Sequence, residues 1–422
     1  MINIPKGVKD VLPSESYKWQ KVREVIYDLQ KKYNLKEIST PEFEHTELFV
    51  RGVGESSDIV NKEMYTFLDK GNRSMTLKPE GTAGVARSFV ENGMFNDTMP
   101  LKMWYLSHCF RYEKPQEGRL RQHTQFGVEM YGADTPMANA EILLIATNYF
   151  NAFGINPVVH INDLGCPDCK KGYVDKLKAF IKPHLDKLCP DCQRRYSQNP
   201  LRLLDCKVDS CKEILRNAPL INDCLCDTCN SNFIELQNIL KSLNINFEVN
   251  PKLVRGLDYY TNLVFEFVDN DKKMGQNALG GGGRYNNLVT ELGGKSTPVI
   301  GFGLGVERLL LYLDKKGIEI PNPSRVDLYI AKATDNNLFV LNAVEKLRKG
   351  GLSVETDLVG RSLKAQFKYA DKINARYVIV IGDDEINSKQ FTVKNMMTGE
   401  QKTLDLDKVL AVLKAWIHAP NF

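Results

Sequence analysis

The chain has 422 residues, of which 43% are hydrophobic and 26% are charged, a balance typical of a folded globular protein and not of a disordered one. Its net charge of +4 neither requires nor excludes a polyanionic partner. No segment reaches the roughly 20 consecutive apolar residues of a membrane span, and the N-terminus lacks the apolar stretch of a signal peptide. We therefore expect a cytoplasmic protein that has no membrane partner.

The first part of the chain predicts a helix followed by an irregular segment. Apolar residues at helical spacing predict an amphipathic helix from Ser14 to about Tyr33. Residues 35–54 are predicted to be extended and then irregular, because Pro41 disfavours a central strand and the glycines at the end of the segment indicate a loop.

A long hairpin is predicted between residues 101 and 131. Its two strands flank the polar segment KPQEGRL, whose proline and glycine favour a turn. Alternate residues of a strand share a face. One face of the first strand thus carries Cys109, Arg111 and Glu113, and one face of the second carries His123, Gln125 and Glu129. We expect these two rows of side chains to meet over one cleft.

Four further patterns precede residue 320. A helix is predicted at 141–153, and RGLDYYTNLVFEFV at 255–268 predicts a strand. ALGGGGRYNNLVTEL at 278–292 predicts a glycine loop that runs into a helix, and VIGFGLGVERLLLYL at 299–313 predicts a strand, three spaced glycines and a helix.

The segment PNPSR at 321–325 is a predicted linker, and a different pattern follows it. Apolar strands at 326–331, 352–355 and 377–382 alternate with helical stretches near 335–349 and 362–374. This alternation predicts a small α/β domain with a partly parallel sheet.

Nine of the ten cysteines lie between Cys166 and Cys229, which indicates an inserted module. Without an export signal, free thiols or metal ligands are favoured over disulfides. The zinc-ribbon spacing of two C-x2-C pairs predicts a structural Zn²⁺ site at Cys166, Cys169, Cys189 and Cys192. The candidates for a second site are Cys206, Cys211, Cys226 and Cys229. Small buried thiols that bind no metal are an equally weighted alternative.

The glycine-rich segments fit neither of the common nucleotide-binding templates. GGKS at 293–296 follows Val289, where a P-loop requires glycine, and GGGGR at 280–284 lacks the dinucleotide-binding register. Two interpretations of these glycines stay open: they allow two backbones to approach closely, or they contact a ligand directly.

Seven segments together carry a family resemblance: PKGVKDVLP, TPEFEHTELFVRGVGE, LKPEGTAGVAR, FRYEKPQEGRLRQHTQFGVEMYG, LVRGLDYYTNLVFEF, GGGGRYNNLV and GFGLGVERLLL. In this order they resemble the class II histidyl-tRNA synthetases over nearly the whole chain. LVRGLDYYT and GGRYNNLV resemble segments peculiar to the histidine enzymes. The resemblance implies a ligase that activates L-histidine with ATP and transfers it to tRNA(His).

The same resemblance implies the fold and its division into domains. We expect an α+β catalytic core with an antiparallel sheet, the class II synthetase fold, at 1–325. A cysteine-rich insertion at 166–244 interrupts it, and an α/β anticodon-binding domain follows at 326–422. The family's first helix and strand also imply a homodimer.

An ATP site built mainly from arginines is implied as well. Activation brings a carboxylate against the α-phosphorus of ATP, and fixed arginines together with Mg²⁺ can offset the repulsion between these anions. The implied catalytic residues are Arg111, Arg255 and Arg308. Those that complete the ATP site are Glu113, Arg119 and His123, the last in place of an aromatic residue that usually lies near the adenine. Taken singly, each arginine is explained better as a solvated surface charge.

The implied histidine site has a part for each end of the amino acid. Glu80, Thr82 and Gln125 hold the ammonium group, and Glu129 and Tyr260 bracket the imidazole. Gly81, Arg111, Arg255 and Tyr259 complete the implied pocket. Ordinary strand packing explains the tyrosine pair equally well.

The implied RNA contacts lie in two places. Lys114 and Gln116 belong to the loop that touches the acceptor end in the family, and Arg361, Lys364 and Lys368 belong to the anticodon-binding domain. A solvated helix face explains the last three almost as well.

Two alternative functions belong to other classes. A catalytically silent paralogue that regulates ATP phosphoribosyltransferase would share the catalytic fold, but such proteins generally lack the anticodon domain. A zinc-containing nucleic-acid-binding module would explain the cysteines and no other motif.

Overall fold

The computed structural model describes residues 2–54, 57–269, 278–323 and 326–418. Its chain divides into two compact units, Met1–Ile320 and Pro321–Phe422. In the first unit the strands are β1 Lys36–Glu37, β2 Phe43–His45, β3 Tyr65–Leu68, β4 Ser74–Leu77, β5 Leu101–Phe110, β6 Gln122–Tyr131, β7 Val158–Asp163, β8 Phe247–Val249, β9 Thr261–Val268, β10 Ala278–Arg284 and β11 Val299–Gly305. The helices are α1 Ser16–Tyr33, α2 Thr46–Val53, α3 Thr82–Glu91, α4 Pro136–Asn151, α5 Pro167–Ile181, α6 Pro190–Gln198, α7 Asp209–Leu215, α8 Asp227–Ser242, α9 Leu288–Glu291 and α10 Val306–Lys316.

A large sheet forms the centre of the first unit. Its strand order is β1-β5-β6-β11-β10-β9-β7-β8. In this spatial order, every neighbouring pair between β5 and β7 is antiparallel. The short outer strands β1 and β8 pair in parallel with β5 and β7. Strands β2, β4 and β3 form a second, small antiparallel sheet. The predicted antiparallel catalytic core is therefore confirmed.

The two faces of the β5–β6 hairpin have different environments. Phe126, Val128 and Met130 point to one face and pack with apolar residues of α1, α4 and α10. Odd-numbered residues point to the other face, where Cys109 pairs with His123 and Met103 with Glu129. Strand β5 ends at Phe110, so Arg111 lies in the connection between the strands and not on the strand itself. Helices α1, α4 and α10 cover the even-numbered face, so the candidate site residues lie on the odd-numbered face.

Two predicted loops are regular structure instead. Residues 46–53 form α2, because Leu48, Phe49 and Val53 are buried together on one side of that helix. Residues 278–284 form strand β10 between β9 and β11, although four of them are glycine. A Cβ atom at Gly281 or Gly282 would lie 2.4 or 2.0 Å from a neighbouring strand's carbonyl oxygen. The predicted glycine loop is therefore wrong. These glycines form a strand, and the close approach of its two neighbouring strands requires residues without side chains.

The insertion is built from α5, α6, α7 and α8 with short 3-10 turns at Lys182–Lys187, Pro200–Asp205 and Ile221–Cys224. Its apolar core includes Tyr173, Leu177 and Leu203, which are at most 1% exposed. Within the part of the chain that the structure describes, no helix combines the length and apolar character needed to cross a membrane.

The second unit contains a five-stranded sheet of order β13-β12-β14-β15-β16. Its elements are β12 Leu328–Ala333, α11 Asn337–Lys349, β13 Val354–Thr356, α12 Leu363–Lys372, β14 Tyr377–Gly382, α13 Asp383–Ser388, β15 Gln390–Asn395, β16 Gln401–Asp405 and α14 Leu406–His418. The first three strands are parallel, and β15 and β16 continue the sheet in antiparallel pairs. The predicted partly parallel sheet is confirmed, and the β15–β16 hairpin and α14 are additional.

Candidate active site

Glu80 is fixed at the start of α3, under the odd-numbered face of the hairpin. Its side chain is 2% exposed, and its two carboxylate oxygens accept hydrogen bonds from the backbone N–H groups of Thr82 and Ala83, each at 2.8 Å. These N–H groups are among those that a helix leaves without partners in its first turn. Burial raises the pKa of Glu80, and the bonds from the backbone oppose that effect. The helix start therefore holds an acidic group in one orientation.

Glu129 is the most deeply buried acid of the site. It is 0% exposed, and its carboxylate accepts hydrogen bonds from the hydroxyls of Thr82 at 2.8 Å, Tyr105 at 3.2 Å and Tyr285. Burial raises the pKa of Glu129 to about 8. Near neutral pH the group therefore binds or releases a proton readily, and a donor that enters the pocket favours the ionised form.

Two glycines of β11 make room for acidic and amide side chains on β6. A Cβ atom at Gly301 would lie 1.6 Å from Oε2 of Glu129, and one at Gly303 would lie 2.3 Å from Nε2 of Gln125. The same Gln125 accepts a hydrogen bond from the backbone N–H of Gly81 at 2.9 Å. The spaced glycines of GFGLG thus allow the polar residues of the neighbouring strand to lie flat across β11.

Three tyrosines pack next to these acids. The rings of Tyr259 and Tyr260 lie 4.6 Å apart, and those of Tyr259 and Tyr285 lie 5.3 Å apart. Tyr259 and Tyr260 are 6% and 7% exposed. The pair thus borders the predicted histidine site, on the same side as Glu80 and Glu129, whose charges act on both phenols.

Arg255 lies beside the tyrosine pair and retains hydrogen-bonding capacity. Its guanidinium forms an ion pair with Glu266, while its buried Nε has no hydrogen-bond partner among the residues that the structure describes. Buried donors are nearly always satisfied in folded proteins, so such a donor is suited to bind an anionic ligand. The carboxylate of Glu266 raises the pKa of Arg255 against the opposing effect of burial.

The predicted ATP residues form a second group at the end of the hairpin. Arg111 donates to the carbonyl of Pro79 at 2.8 Å, and Arg119 forms an ion pair with Glu113 at 2.9 Å. Arg308, on α10, donates to the carbonyls of Ala278 at 2.6 Å and Gly118 at 3.3 Å. Two arginines of the hairpin loop and one of α10 are thus fixed in this group.

His123 lies between these cations. Burial lowers its pKa to about 3, and the charges of Arg111 and Arg308 act in the same direction. The imidazole is therefore neutral near pH 7. A neutral, flat ring beside cationic groups is suited to contact with a nucleobase.

The predicted RNA residues differ in how far they are held by the protein. Lys114 and Gln116 are exposed in the hairpin loop, and Lys364 and Lys368 are exposed on α12. Arg361 instead forms an ion pair with Asp357 at 2.9 Å and stacks on the ring of Tyr369 at 4.2 Å. The charge of Arg361 is thus partly compensated by Asp357 within the second unit.

Four residues of the site escaped the sequence analysis: Tyr105, Glu266, Tyr285 and Glu307. Tyr105 shares the odd-numbered face with Cys109 and Glu129, a signal that strand alternation already contained. Tyr285 lies within the quoted segment GGGGRYNNLV. The carboxylate of Glu307 accepts the backbone N–H of Thr124 at 2.8 Å, which ties α10 to β6.

The predicted grouping of the insertion's cysteines is wrong. Cys166 and Cys169 lie with Cys226 and Cys229, whereas Cys189 and Cys192 lie with Cys206 and Cys211. The physical reason is that the chain enters and leaves the insertion at one place, so its first and last pairs meet. The backbone N–H of Cys226 accordingly donates to Sγ of Cys169 at 3.1 Å.

Comparison with known proteins identifies the family. The family profile described as histidyl-tRNA synthetase matches residues 7–179 and 203–309. A histidine–tRNA ligase of Caldanaerobacter subterraneus subsp. tengcongensis is 52% identical over 97% of this chain and 99% of that protein. One of Clostridium novyi is 50% identical over 97% of both chains. The chain belongs to the histidyl-tRNA synthetase family.

Structural comparison agrees with this assignment. The crystal structure of apo histidyl-tRNA synthetase from S. aureus is 39% identical, with a TM-score of 0.85, and covers 98% of this chain and 100% of that one. An anticodon-binding-domain profile matches residues 328–416. The predicted aminoacyl-tRNA ligase function is therefore confirmed over the regulatory paralogue and the non-catalytic zinc module.

Proposed function

We propose that the residues described above carry out both steps of histidine–tRNA ligation. In the first step L-histidine and ATP give histidyl-adenylate and pyrophosphate, and in the second the histidyl group passes to the 3′ end of tRNA(His). The observation that carries this proposal is the buried Glu129 carboxylate near Tyr259 and Tyr260, in a chain that also holds a separate group of fixed arginines at the hairpin loop. A buried carboxylate in an aromatic pocket can accept a hydrogen bond from the N–H of an imidazole ring, and the arginines can bind the anionic phosphates of ATP.

Histidine recognition would use both ends of the pocket. A neutral imidazole donates one N–H and accepts at its other nitrogen, so Glu129 can accept from one side and the Tyr260 hydroxyl can donate to the other. Glu80, Thr82 and Gln125 would hold the ammonium group around the start of α3. An amino acid whose side chain lacks an N–H donor would forgo this hydrogen bond, and a bond to a charged acceptor contributes about 1.5–3 kcal/mol.

Activation requires little proton chemistry. The histidine carboxylate attacks the α-phosphorus, the new C–O–P link forms, and the bond to pyrophosphate breaks. Arg255 would orient the carboxylate through the Nε that has no protein partner, while Arg111 and Arg308 would offset charge on the phosphates. Arg119 would contact the phosphates, and His123 the adenine.

The carboxylates near the arginines fit a magnesium-dependent reaction. Glu113 and Glu266 both act on the charge of Arg308, so they lie on the phosphate side of the site. Oxygen ligands of this kind are the ones that Mg²⁺ prefers. When bound, Mg²⁺ would neutralise part of the negative charge on ATP.

Transfer to tRNA would involve both units. A terminal ribose hydroxyl attacks the carbonyl carbon of the adenylate, and AMP leaves. Lys114 and Gln116 would contact the acceptor end, and Arg361, Lys364 and Lys368 the anticodon arm; the exposure of four of these five side chains supports this proposal. A cytoplasmic location is proposed because the proposed substrate is a tRNA.

The proposed domains are 1–325 with its insertion at 166–244, and 326–422, close to the observed division after Ile320.

A homodimer is also proposed, with contact through α1 and the chain before it. Val11, Leu12 and Tyr27 are 46%, 55% and 45% exposed in the single chain. A cavity of about 730 Å³ behind the hairpin is lined by α1 residues together with Trp104 and Leu106. A second copy would cover this apolar surface. Sedimentation at several concentrations tests the proposal, and a monomer at every concentration would contradict it.

ATP–pyrophosphate exchange with each of the twenty amino acids tests the activation step. The experiment needs purified protein, ATP and Mg²⁺, and no tRNA. We expect exchange with histidine only. Exchange with another amino acid in preference to histidine, or with none, would contradict the assignment of the pocket.

A further inference from the structure

We propose that the insertion binds two structural Zn²⁺ ions, each through four cysteine thiolates, in addition to the catalytic function. The outer site consists of Cys166, Cys169, Cys226 and Cys229. The inner site consists of Cys189, Cys192, Cys206 and Cys211. In each site the four sulfur atoms all lie within 4.8 Å of one another.

The distances between sulfur atoms fit a tetrahedral metal site. Sγ of Cys166 lies 3.5 Å from Sγ of Cys169, and Sγ of Cys189 lies 3.9 Å from Sγ of Cys206. Zinc–sulfur bonds of about 2.3 Å in a tetrahedron place two sulfurs about 3.8 Å apart. A disulfide would require about 2.0 Å, and all ten cysteines are free thiols. The observed spacing is therefore that of sulfurs around one ion and not of bonded pairs.

The helix starts of the insertion are arranged to stabilise thiolates. Cys166, Cys189 and Cys226 directly precede α5, α6 and α8, so each C-x2-C pair lies at a positive helix end. Backbone N–H groups also point at sulfur across each site: Cys226 donates to Cys169 at 3.1 Å, and Cys189 to Cys211 at 3.2 Å. These contacts reduce the repulsion among four negative sulfurs that share one ion.

The ligand set favours zinc over Mg²⁺ and Ca²⁺. Both sites offer sulfur alone, whereas Mg²⁺ and Ca²⁺ bind oxygen ligands. Five of the eight cysteines are at most 7% exposed: Cys169, Cys192, Cys206, Cys211 and Cys229. Four closed sulfur ligands leave no open coordination position, which is typical of structural and not of catalytic zinc. The ions would therefore stabilise the insertion.

The outer site joins the insertion to the histidine pocket. Cys166 follows β7, and Gly165 beside it accepts the backbone N–H of Asn262 at 3.2 Å. One turn into α5, Lys170 donates to the carbonyl of Tyr260 at 3.2 Å. An ion that fixes the start of α5 therefore also fixes the backbone that carries the tyrosine pair.

The inner site supports a different contact with the catalytic core. It fixes the start of α6 and the end of the turn Pro200–Asp205. From these segments Arg195 and Arg202 reach the carboxylate of Asp58 at 3.0 and 2.9 Å. The two ions thus hold two separate connections between the insertion and the core.

Metal analysis of the untagged full-length protein, purified in reducing buffer without chelator, tests the proposal. We expect two zinc ions per chain. Cys166→Ser with Cys226→Ser, and Cys189→Ser with Cys206→Ser, should each leave about one. Cys224→Ser is the matched control and should retain two, because Cys224 belongs to neither group and contacts Lys176 instead.

Cobalt titration of the metal-free wild-type chain keeps the test valid if the double variants do not fold. Tetrahedral thiolate coordination predicts intense charge-transfer and visible absorption bands that saturate at two equivalents of Co²⁺. Wild-type protein that contains no zinc and binds no cobalt in this geometry would overturn the proposal. Iron in place of zinc, or saturation at one equivalent, would overturn it as well.

Discussion

Replacing Glu129 with glutamine tests whether the buried carboxylate contacts the substrate. The substitution keeps the size of the side chain and removes its charge, and the new amide can accept at only one oxygen. A hydrogen bond to a charged group contributes about 1.5–3 kcal/mol, which corresponds to roughly 10- to 150-fold in kcat/KM. We expect a loss of that size in kcat/KM for histidine, with little change in the KM for ATP, because the ATP residues lie in a separate group at the hairpin loop.

The pH profile gives a second, independent readout. The pKa of Glu129 is raised to about 8 in the free protein, so its ionised form grows as pH rises toward 8. The ionised form accepts a stronger, charge-assisted hydrogen bond from a neutral imidazole than the protonated form does, and free histidine loses its ring proton near pH 6.5. Wild-type kcat/KM for histidine should therefore rise up to about tenfold per pH unit between 6.5 and 8, then level. The Glu129→Gln variant should lack this rise.

The same pKa fixes the sign of the stability effect. A carboxyl group whose folded-state pKa exceeds its unfolded value of about 4.5 binds more protons when folded, so the free energy of unfolding falls as pH rises from 4.5 to 8. Glutamine removes that dependence. The assay for histidine use is pyrophosphate exchange at saturating ATP from pH 6 to 9, with the exposed Glu345→Gln on α11 as the control. A Glu129→Gln enzyme within twofold of wild type, with an unchanged pH profile, would refute contact between this carboxylate and histidine.

Three further predictions concern Arg255, Gly301 and the lysines of α12. Arg255→Ala should lower kcat for pyrophosphate exchange about 100- to 1000-fold, and Arg255→Lys should restore little, because an ammonium lacks the planar guanidinium fork; single-turnover adenylate formation measures both. Gly301→Ala should abolish measurable histidine binding in calorimetry, since its Cβ would lie 1.6 Å from Glu129, whereas Gly172→Ala, with open space around it, should bind normally. Lys364→Gln with Lys368→Gln should weaken tRNA binding and reduce the slope of log K against log salt by about one to two, whereas Lys349→Gln should not; an unchanged slope would show that the α12 lysines do not contact phosphate.

Periodicity predicted the elements whose exposure alternates regularly. The 3.6-residue spacing of Val22, Val25, Ile26 and Leu29 is the buried stripe of α1. Alternation along β5 and β6 likewise predicted that His123, Gln125 and Glu129 share a face, which the strand register confirms. Each of these patterns involves residues close together in the chain, so it can be recognised without knowledge of the fold.

The elements that were missed depend on what lies across from them. Four glycines in a row disfavour a strand on their own. They form β10 because its neighbours approach so closely that side chains there would meet carbonyl oxygens. Tyr105 of β5 and Tyr285, directly after β10, both donate to the carboxylate of Glu129, and no local sequence pattern predicts that they meet.

The cysteine pairs show the same limit at longer range. Spacing correctly marks pairs that can share an ion, but it does not say which pairs meet. That depends on the insertion returning to its starting point, where the backbone N–H of Cys226 donates to Sγ of Cys169 at 3.1 Å. Separation along the chain would have joined the first two pairs, whereas the fold joins the first pair with the last.

Aminoacylation of unfractionated tRNA with each labelled amino acid, followed by sequencing of the charged RNA, tests whether this chain is a histidine–tRNA ligase. We expect that histidine alone becomes attached, that the charged RNA is tRNA(His), and that Arg255→Ala removes the reaction. Attachment of another amino acid, or charging that survives the loss of Arg255 undiminished, would contradict it.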